Sequence, residues 1–199
     1  DFADETAGES MAPGGGSISA YVGALGVSLG TMVANLSAHK AGWDERWEFF
    51  SDWAIKGQEY KEQLLFLVDE DTNAFNKIID GFRMPKDTDL EKKIRLDAIE
   101  NATKYATEIP FKVMETSFQS MEIMQAMLKD GLKNSLSDAG VGVLCARAAV
   151  IGAYFNVRIN AKDIKDRDFA TVILNKAATI YKKTIALEQE TISFIDSQM

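Results

Sequence analysis

The sequence predicts an all-α protein, an up-and-down bundle of long helices. Three features predict it. Prolines number only three, Pro13, Pro85 and Pro110, and no glycine or proline follows Gly152, so little interrupts helix propagation. Apolar residues recur at three- and four-residue spacing over long stretches, with no strand-like alternation, low-complexity tract or internal repeat. Two segments concentrate glycine and alanine at helical spacing, the pattern of helices that cross closely within a bundle or between two copies of a chain.

Taken in order, Asp1 to Ser10 reads as a short helical segment, and residues 1–12 lead into a glycine-rich loop. A first long helix runs from about Ser17 to His39, with Gly42 marking its end. A second follows from about Asp44 to Ile79. Gly81-Phe82-Arg83-Met84-Pro85 breaks the chain, because the residue before a proline is disfavoured in helix. Asp87-Thr88-Asp89 offers N-caps for a third helix reaching Asp130, broken or kinked at Pro110 and stopped by Gly131. Ser135-Leu136-Ser137-Asp138 reads as a capping box opening a helix to about Asn160. A last helix spans roughly Asp166 to Ser197. At 199 residues these elements make one domain, 1–199, with a substantial core.

The first helix is nearly stripped of bulk on one face by Gly23, Gly26 and Gly30 with Ala20, Ala24 and Ala34. Gly142, Ala146, Ala149, Gly152 and Ala153 do the same for the helix that ends near Asn160. A glycine inside a helix costs about 1 kcal/mol relative to alanine, so close packing must offset it. Packing accounts for these positions better than direct ligand contact.

Composition narrows the partners. A net charge of −8 and a pI near 4.8 argue against nucleic acid. Ile18–Leu36 approaches membrane-spanning length but carries Ser19, Ser28, Thr31 and Asn35, so it reads as a buried helix and no membrane partner is expected. The acidic N-terminus lacks the signature of a signal peptide. The chain begins at Asp1 rather than methionine, which reads as a processed product or an excised domain. Cys145 is the only cysteine, which rules out an intrachain disulfide and suits a reducing, cytoplasmic setting; its Val, Leu and Ala neighbours make it a packed thiol. His39 is the only histidine, so no paired-histidine metal site exists, and its place near a helix end suits a C-terminal cap. No metal is expected.

Candidate chemistry gathers in three places. Ala12-Pro13-Gly14-Gly15-Gly16-Ser17 lets the backbone approach a ligand closely and opens a helix whose free N–H groups attract an anion. It is neither a Walker loop nor a GxGxxG fingerprint, so a plain tight connection is the equal alternative. Asp71 lies on the apolar stripe of the second helix, with Leu67, Val68, Ala74 and Phe75 as its neighbours one turn away. A carboxylate buried there has its pKa raised toward neutrality, as a general acid or base requires; a buried Asp–Arg pair is the plainer account. Asp69 has a more mixed face. Asn156 shares a small-residue face with Cys145, Ala149 and Gly152, and Asn160 follows one turn on. These amides suit either a heterocycle edge or a neighbouring helix. Asp138 caps a first turn or faces a pocket, and Arg147, Arg158 and Lys162 are the nearest cations for an anionic tail.

These segments, taken together, resemble the formimidoyltetrahydrofolate cyclodeaminase family. The matching landmarks begin with the Ala12–Ser17 loop, Gly23-Ala24-Leu25-Gly26 and Met32-Val33-Ala34-Asn35-Leu36. They continue with Leu67-Val68-Asp69-Glu70-Asp71, Ala74-Phe75, Met84-Pro85-Lys86, Ser137-Asp138, Gly152-Ala153-Tyr154-Phe155-Asn156-Val157 and Ile159-Asn160. In animals the family's domain is half of a bifunctional formiminotransferase-cyclodeaminase, and some bacterial relatives are methenyltetrahydrofolate cyclohydrolases.

The resemblance implies a helical homodimer that joins through its small-residue helices, with a folate site near the glycine-rich loop and Asp71 as the catalytic residue. The implied activity is that of a carbon–nitrogen lyase of one-carbon metabolism and histidine degradation, converting 5-formimidoyltetrahydrofolate to 5,10-methenyltetrahydrofolate and ammonia. Asp69 assists catalysis, while Pro13, Gly14, Gly15, Gly16, Ser17, Asp138, Asn156 and Asn160 contact the substrate. A tetrahydrofolate derivative, with or without a polyglutamate tail, is the substrate, and a fused or separate formiminotransferase is the implied partner. The alternatives are a methenyltetrahydrofolate cyclohydrolase and a non-catalytic helical interaction module.

Overall fold

The computed structural model describes residues 2–198, and within them every regular element is helical. The short α1 (Phe2–Thr6) precedes five long helices: α2 (Gly15–Ala38), α3 (Trp47–Arg83), α4 (Asp89–Asp130), α5 (Leu136–Asn160) and α6 (Arg167–Gln198). Single 3-10 turns, Asp44–Arg46 and Lys133–Ser135, lead into α3 and α5. The connections are short, so successive long helices run antiparallel. Helix α2 packs on α3, α4 and α5, α4 packs on α3, and α6 lies against α4 and α5.

The small-residue faces do the close packing. A Cβ on Gly26 would fall 2.8 Å from the Gly142 carbonyl oxygen and 2.9 Å from Cys145 Cβ, so α2 and α5 cross almost backbone to backbone. A Cβ on Gly57 of α3 would lie 2.0 Å from Thr31 Oγ1 on α2. Substituents there would separate helices whose burial of Val27, Val33, Leu64, Met121, Met124 and Val150 makes the core. Helices α2 and Lys133–Asn160 are long and apolar enough to cross a membrane by length and composition. In this fold α2 is mostly buried against its neighbours.

Several boundaries differ from the sequence reading for local reasons. Helix α2 starts at Gly15, with Gly14 as its N-cap and no side-chain cap; Ser17 thus sits inside the first turn. His39 is the C-cap of α2, its backbone N–H donating to the Asn35 carbonyl. The capping box expected at Ser135 is absent, since that residue ends a 3-10 turn and makes no side-chain cap bond. A capping box does form at the start of α4, where Thr88 Oγ1 accepts from the Glu91 N–H and Glu91 accepts from the Thr88 N–H.

Pro110 does not break α4, which runs unbroken from Asp89 to Asp130. A proline at 110 cannot donate to the carbonyl four residues earlier, that of Ala106. Asn160 at the end of α5 supplies the missing donor: its Nδ2 lies 2.7 Å from the Ala106 oxygen. The neighbouring helix therefore repairs the bond that proline removes.

Candidate functional site

The glycine loop, α3 and α5 meet at the N-terminal end of α2. Ser17 donates twice to one carboxylate oxygen of Asp71, from its backbone N–H at 2.8 Å and from its Oγ at 2.9 Å. The opening turn of α2, with its free N–H groups and positive dipole end, thus holds an anion supplied by the protein itself. Gly16 makes this possible. A Cβ there would lie 2.1 Å from Asp71 Oδ1 and 2.6 Å from its Cγ, so only a glycine lets the carboxylate seat.

Helix α5 closes the other side. Ser19 Oγ donates to the Gly15 carbonyl at 2.6 Å, and a Cβ on Gly152 would fall 2.4 Å from that same Oγ. Close approach at Gly152 carries the next turn, with Asn156, up to Gly15, whose Cβ position is 3.4 Å from Asn156 Nδ2. Asn156 Nδ2 donates to the Gly152 carbonyl at 2.9 Å, and Asn160 Nδ2 is taken by Ala106. Among the described residues neither amide oxygen has a hydrogen-bond partner, which leaves both able to accept.

Asp71 is half-buried. Burial pushes its carboxyl above the ordinary carboxylate range, and the two hydrogen bonds from Ser17 offset part of that rise. Such a group exchanges a proton more readily near neutral pH than a solvated aspartate. Cys145 is partly buried, and burial raises its thiol, as suits a packed side chain.

The structure thus brings together Gly14, Gly15, Gly16, Ser17, Asp71 and Asn156, with Pro13 on the entering strand of loop and Asn160 one turn further along α5. It does not bring Asp69 or Asp138 to them within one chain. Asp69 is exposed and, two residues from Asp71, points about 200° away around the helix. Asp138 stands in the first turn of α5, roughly 27 Å along the helix from Asn156. Among the cations, Arg147 is engaged by Glu188 at 3.1 Å. Arg158 and Lys162 line a shallow groove with Phe155 and Ile159 on the outer side of α5.

The sequence reading missed Ser19 and the pairing of Glu70 with Tyr105. Tyr105 of α4 donates to Glu70, and this bond, with a second from Asn73, holds the Glu70 carboxyl below its ordinary value. The pair lies beside a cavity of about 590 Å³ between α3 and α4. A residue adjacent to Asp71 in sequence gave no sign of its partner on another helix. Among the described residues, no cluster of three or more His, Cys, Asp or Glu could hold a metal ion.

This all-helical architecture, with a carboxylate clamped by a glycine loop, places the chain in a defined class: it belongs to the formiminotransferase-cyclodeaminase family, whose model matches residues 1–179. Its relatives include a methenyltetrahydrofolate cyclohydrolase of Methylorubrum extorquens, 31% identical over 100% of this chain and 95% of that protein. The formimidoyltransferase-cyclodeaminase of Gallus gallus is 33% identical over 85% of this chain. The chain spans only 31% of that bifunctional protein's length. In fold, it matches the crystal structure of a formiminotetrahydrofolate cyclodeaminase from Thermotoga maritima with a TM-score of 0.81 at 24% identity, covering 99% of this chain and 92% of that one.

Proposed function

We propose that this chain closes the imidazoline ring of a reduced folate, converting 5-formimidoyltetrahydrofolate to 5,10-methenyltetrahydrofolate with loss of ammonia. The observation that carries the reading is the Asp71 carboxylate, half-buried and pinned by Ser17 at the mouth of the glycine loop. In this chemistry N10 attacks the carbon of the protonated formimidoyl group and forms a cyclic aminal; N10 loses its one proton, the former imino nitrogen, already carrying two, gains that third proton, and it leaves as ammonia. Asp71 takes the proton from N10 and returns it to the departing nitrogen, a role worth about 10²–10⁴-fold. Once ionised, the same carboxylate faces the cationic product ring. Holding N10 against the carbon supplies much of the remaining acceleration.

The loop backbone from Pro13 to Gly16 and the oxygens of Asn156 and Asn160 orient the heterocycle, with the amide oxygens accepting from its N–H groups. Arg158 and Lys162 receive the anionic tail. Asp69, on the exposed side of α3 and pointing away from Asp71, takes no part in the proton transfer. A second copy of the chain covers the outer faces of α2 and α5. Those faces expose Tyr21, Leu25 and Met32 on one helix and Val141 and Leu144 on the other, an apolar surface of the kind that marks an interface.

A second reading, hydration of the methenyl carbon with ring opening, is favoured by the cyclohydrolase name of the Methylorubrum relative, which this chain matches over almost its full length. The two are separated by absorbance of the methenyl chromophore in two cuvettes. Appearance of the chromophore with ammonia from 5-formimidoyltetrahydrofolate establishes the deaminase. Loss of it in a methenyltetrahydrofolate cuvette alone establishes the cyclohydrolase. No enzyme-dependent change in either removes the catalytic reading.

A further inference from the structure

At the end of the bundle remote from Asp71, a cavity of about 830 Å³ opens between the end of α2, the 40–46 connection, the α4–α5 turn and the end of α6. Leu36 lines it, roughly 28 Å along α2 from Ser17, so it is separate from the site around Asp71. Lys40, Arg46, Lys129 and Lys133 reach its wall, against one carboxylate among the described residues, that of Asp130. The chain as a whole has 30 acidic and 22 basic residues, so this local cationic excess runs against the overall field.

Packing explains only part of that excess. Lys40 follows the C-terminus of α2 and Lys129 lies in the last turn of α4, where the helix dipole favours a cation. Lys133 stands at the N-terminal side of α5, where the dipole opposes it. Among the described residues, neither Lys129 nor Lys133 has an ion-pair partner. Arg46 is already engaged, 3.5 Å from Asp130 and over the rings of Trp43 and Phe50, and Lys40 lies 4.4 Å from the Trp43 centroid.

The free charges are thus ammonium groups rather than a guanidinium fork. Ammonium groups bind phosphate oxygens as point charges, and two unpaired ones on one wall match the several charges of a polyphosphate. The volume falls in the range of small-molecule sites and exceeds what a bare anion fills. Leu132 and Phe194 give the wall an apolar and aromatic part. We propose that this cavity binds an organic phosphate of nucleotide size, its phosphates on Lys129 and Lys133 and its organic part against Leu132 and Phe194.

Isothermal titration of the full chain with ATP, inorganic triphosphate and adenosine, each without metal, tests this. ATP is expected to bind once per chain with a submillimolar Kd, triphosphate at least several-fold more weakly, and adenosine weakest. Replacing Lys129 and Lys133 together by alanine should weaken ATP about tenfold or more. Both side chains are exposed, so the fold should survive, which circular dichroism checks. The control pair Lys92→Ala and Lys93→Ala removes the same charge at the opposite end of α4 and should leave ATP binding unchanged. Absence of ATP binding up to about 10 mM, or equal weakening by both pairs, overturns the site. Triphosphate binding as tightly as ATP overturns the assignment of the organic part.

Discussion

Gly16→Ala isolates the clamp on Asp71. The new methyl carbon would lie 2.1 Å from Asp71 Oδ1, 2.6 Å from Cγ and 2.7 Å from Oδ2. Ordinary contact requires well over 3 Å, so the carboxylate must retreat by about 1 Å or α2 must move away from α3. Either shift stretches the hydrogen bonds that Ser17 makes at 2.8 and 2.9 Å. A misplacement of about 1 Å can cost roughly 10²-fold in rate. Each weakened hydrogen bond to a charged group costs about 1.5–3 kcal/mol, against about 1 kcal/mol gained in helix propensity. The predicted variant is therefore folded, with kcat down about 10²-fold and a modestly lower melting temperature. Gly15→Ala is the control for the fold alone: its Cβ would meet nothing nearer than Asn156 Nδ2 at 3.4 Å, so its melting temperature should not fall. Turnover by the methenyl absorbance assay, with thermal melts of both variants, decides it. A fully active, folded Gly16→Ala protein would refute the clamp.

Four further outcomes follow from the structure. Ser17→Ala removes a bond that lowers the Asp71 pKa, so the acid limb of the kcat/KM profile should move to higher pH; an unmoved limb would detach Ser17 from the titrating group. Because the folded Asp71 carboxyl is raised by burial, wild-type stability should fall as pH rises from the ordinary aspartate value through the raised one, and Asp71→Asn should lack that fall in urea titrations across the range. Asn160→Ala orphans the Ala106 carbonyl and should cost about 1–3 kcal/mol, but much less in a Pro110→Ala background where residue 110 regains its N–H; additive costs in the double-mutant cycle would contradict the repair. Leu25→Glu with Leu144→Glu, both on the exposed apolar faces, should yield a monomer by light scattering, and an unchanged mass would place any interface elsewhere.

Much of this architecture is legible because helices leave periodic signatures. Sparse prolines, the Gly42 and Gly131 stops and the glycine–alanine faces predict which segments are helical and which cross closely, and the Gly26–Gly142 contact realises that pattern. Asp71 stands out because a carboxylate interrupts an apolar stripe, a conflict visible without knowing its partner. What the stripe cannot reveal is the partner itself, since Ser17 approaches from another helix. The same limit hides Tyr105 from any reading of Glu70. It also hides Asn160 from Pro110: local rules predict a broken or kinked α4, whereas a side chain from α5 supplies the missing donor. Ser135 shows the converse failure, a cap motif in sequence that a 3-10 turn leaves unused. Asp138 and Asn156 read as one set because both lie on α5, but helix length keeps them apart.

If the carboxylate clamped by Gly16 and Ser17 carries the proton in folate ring chemistry, neutralising it removes most of the turnover. Turnover of wild type and Asp71→Asn on 5-formimidoyltetrahydrofolate and on methenyltetrahydrofolate, with melting curves alongside, tests it most directly. Asparagine keeps the shape and can still accept from Ser17, so the fold should hold while turnover falls at least about 10²-fold. Near-normal turnover by a folded Asp71→Asn protein would contradict the account.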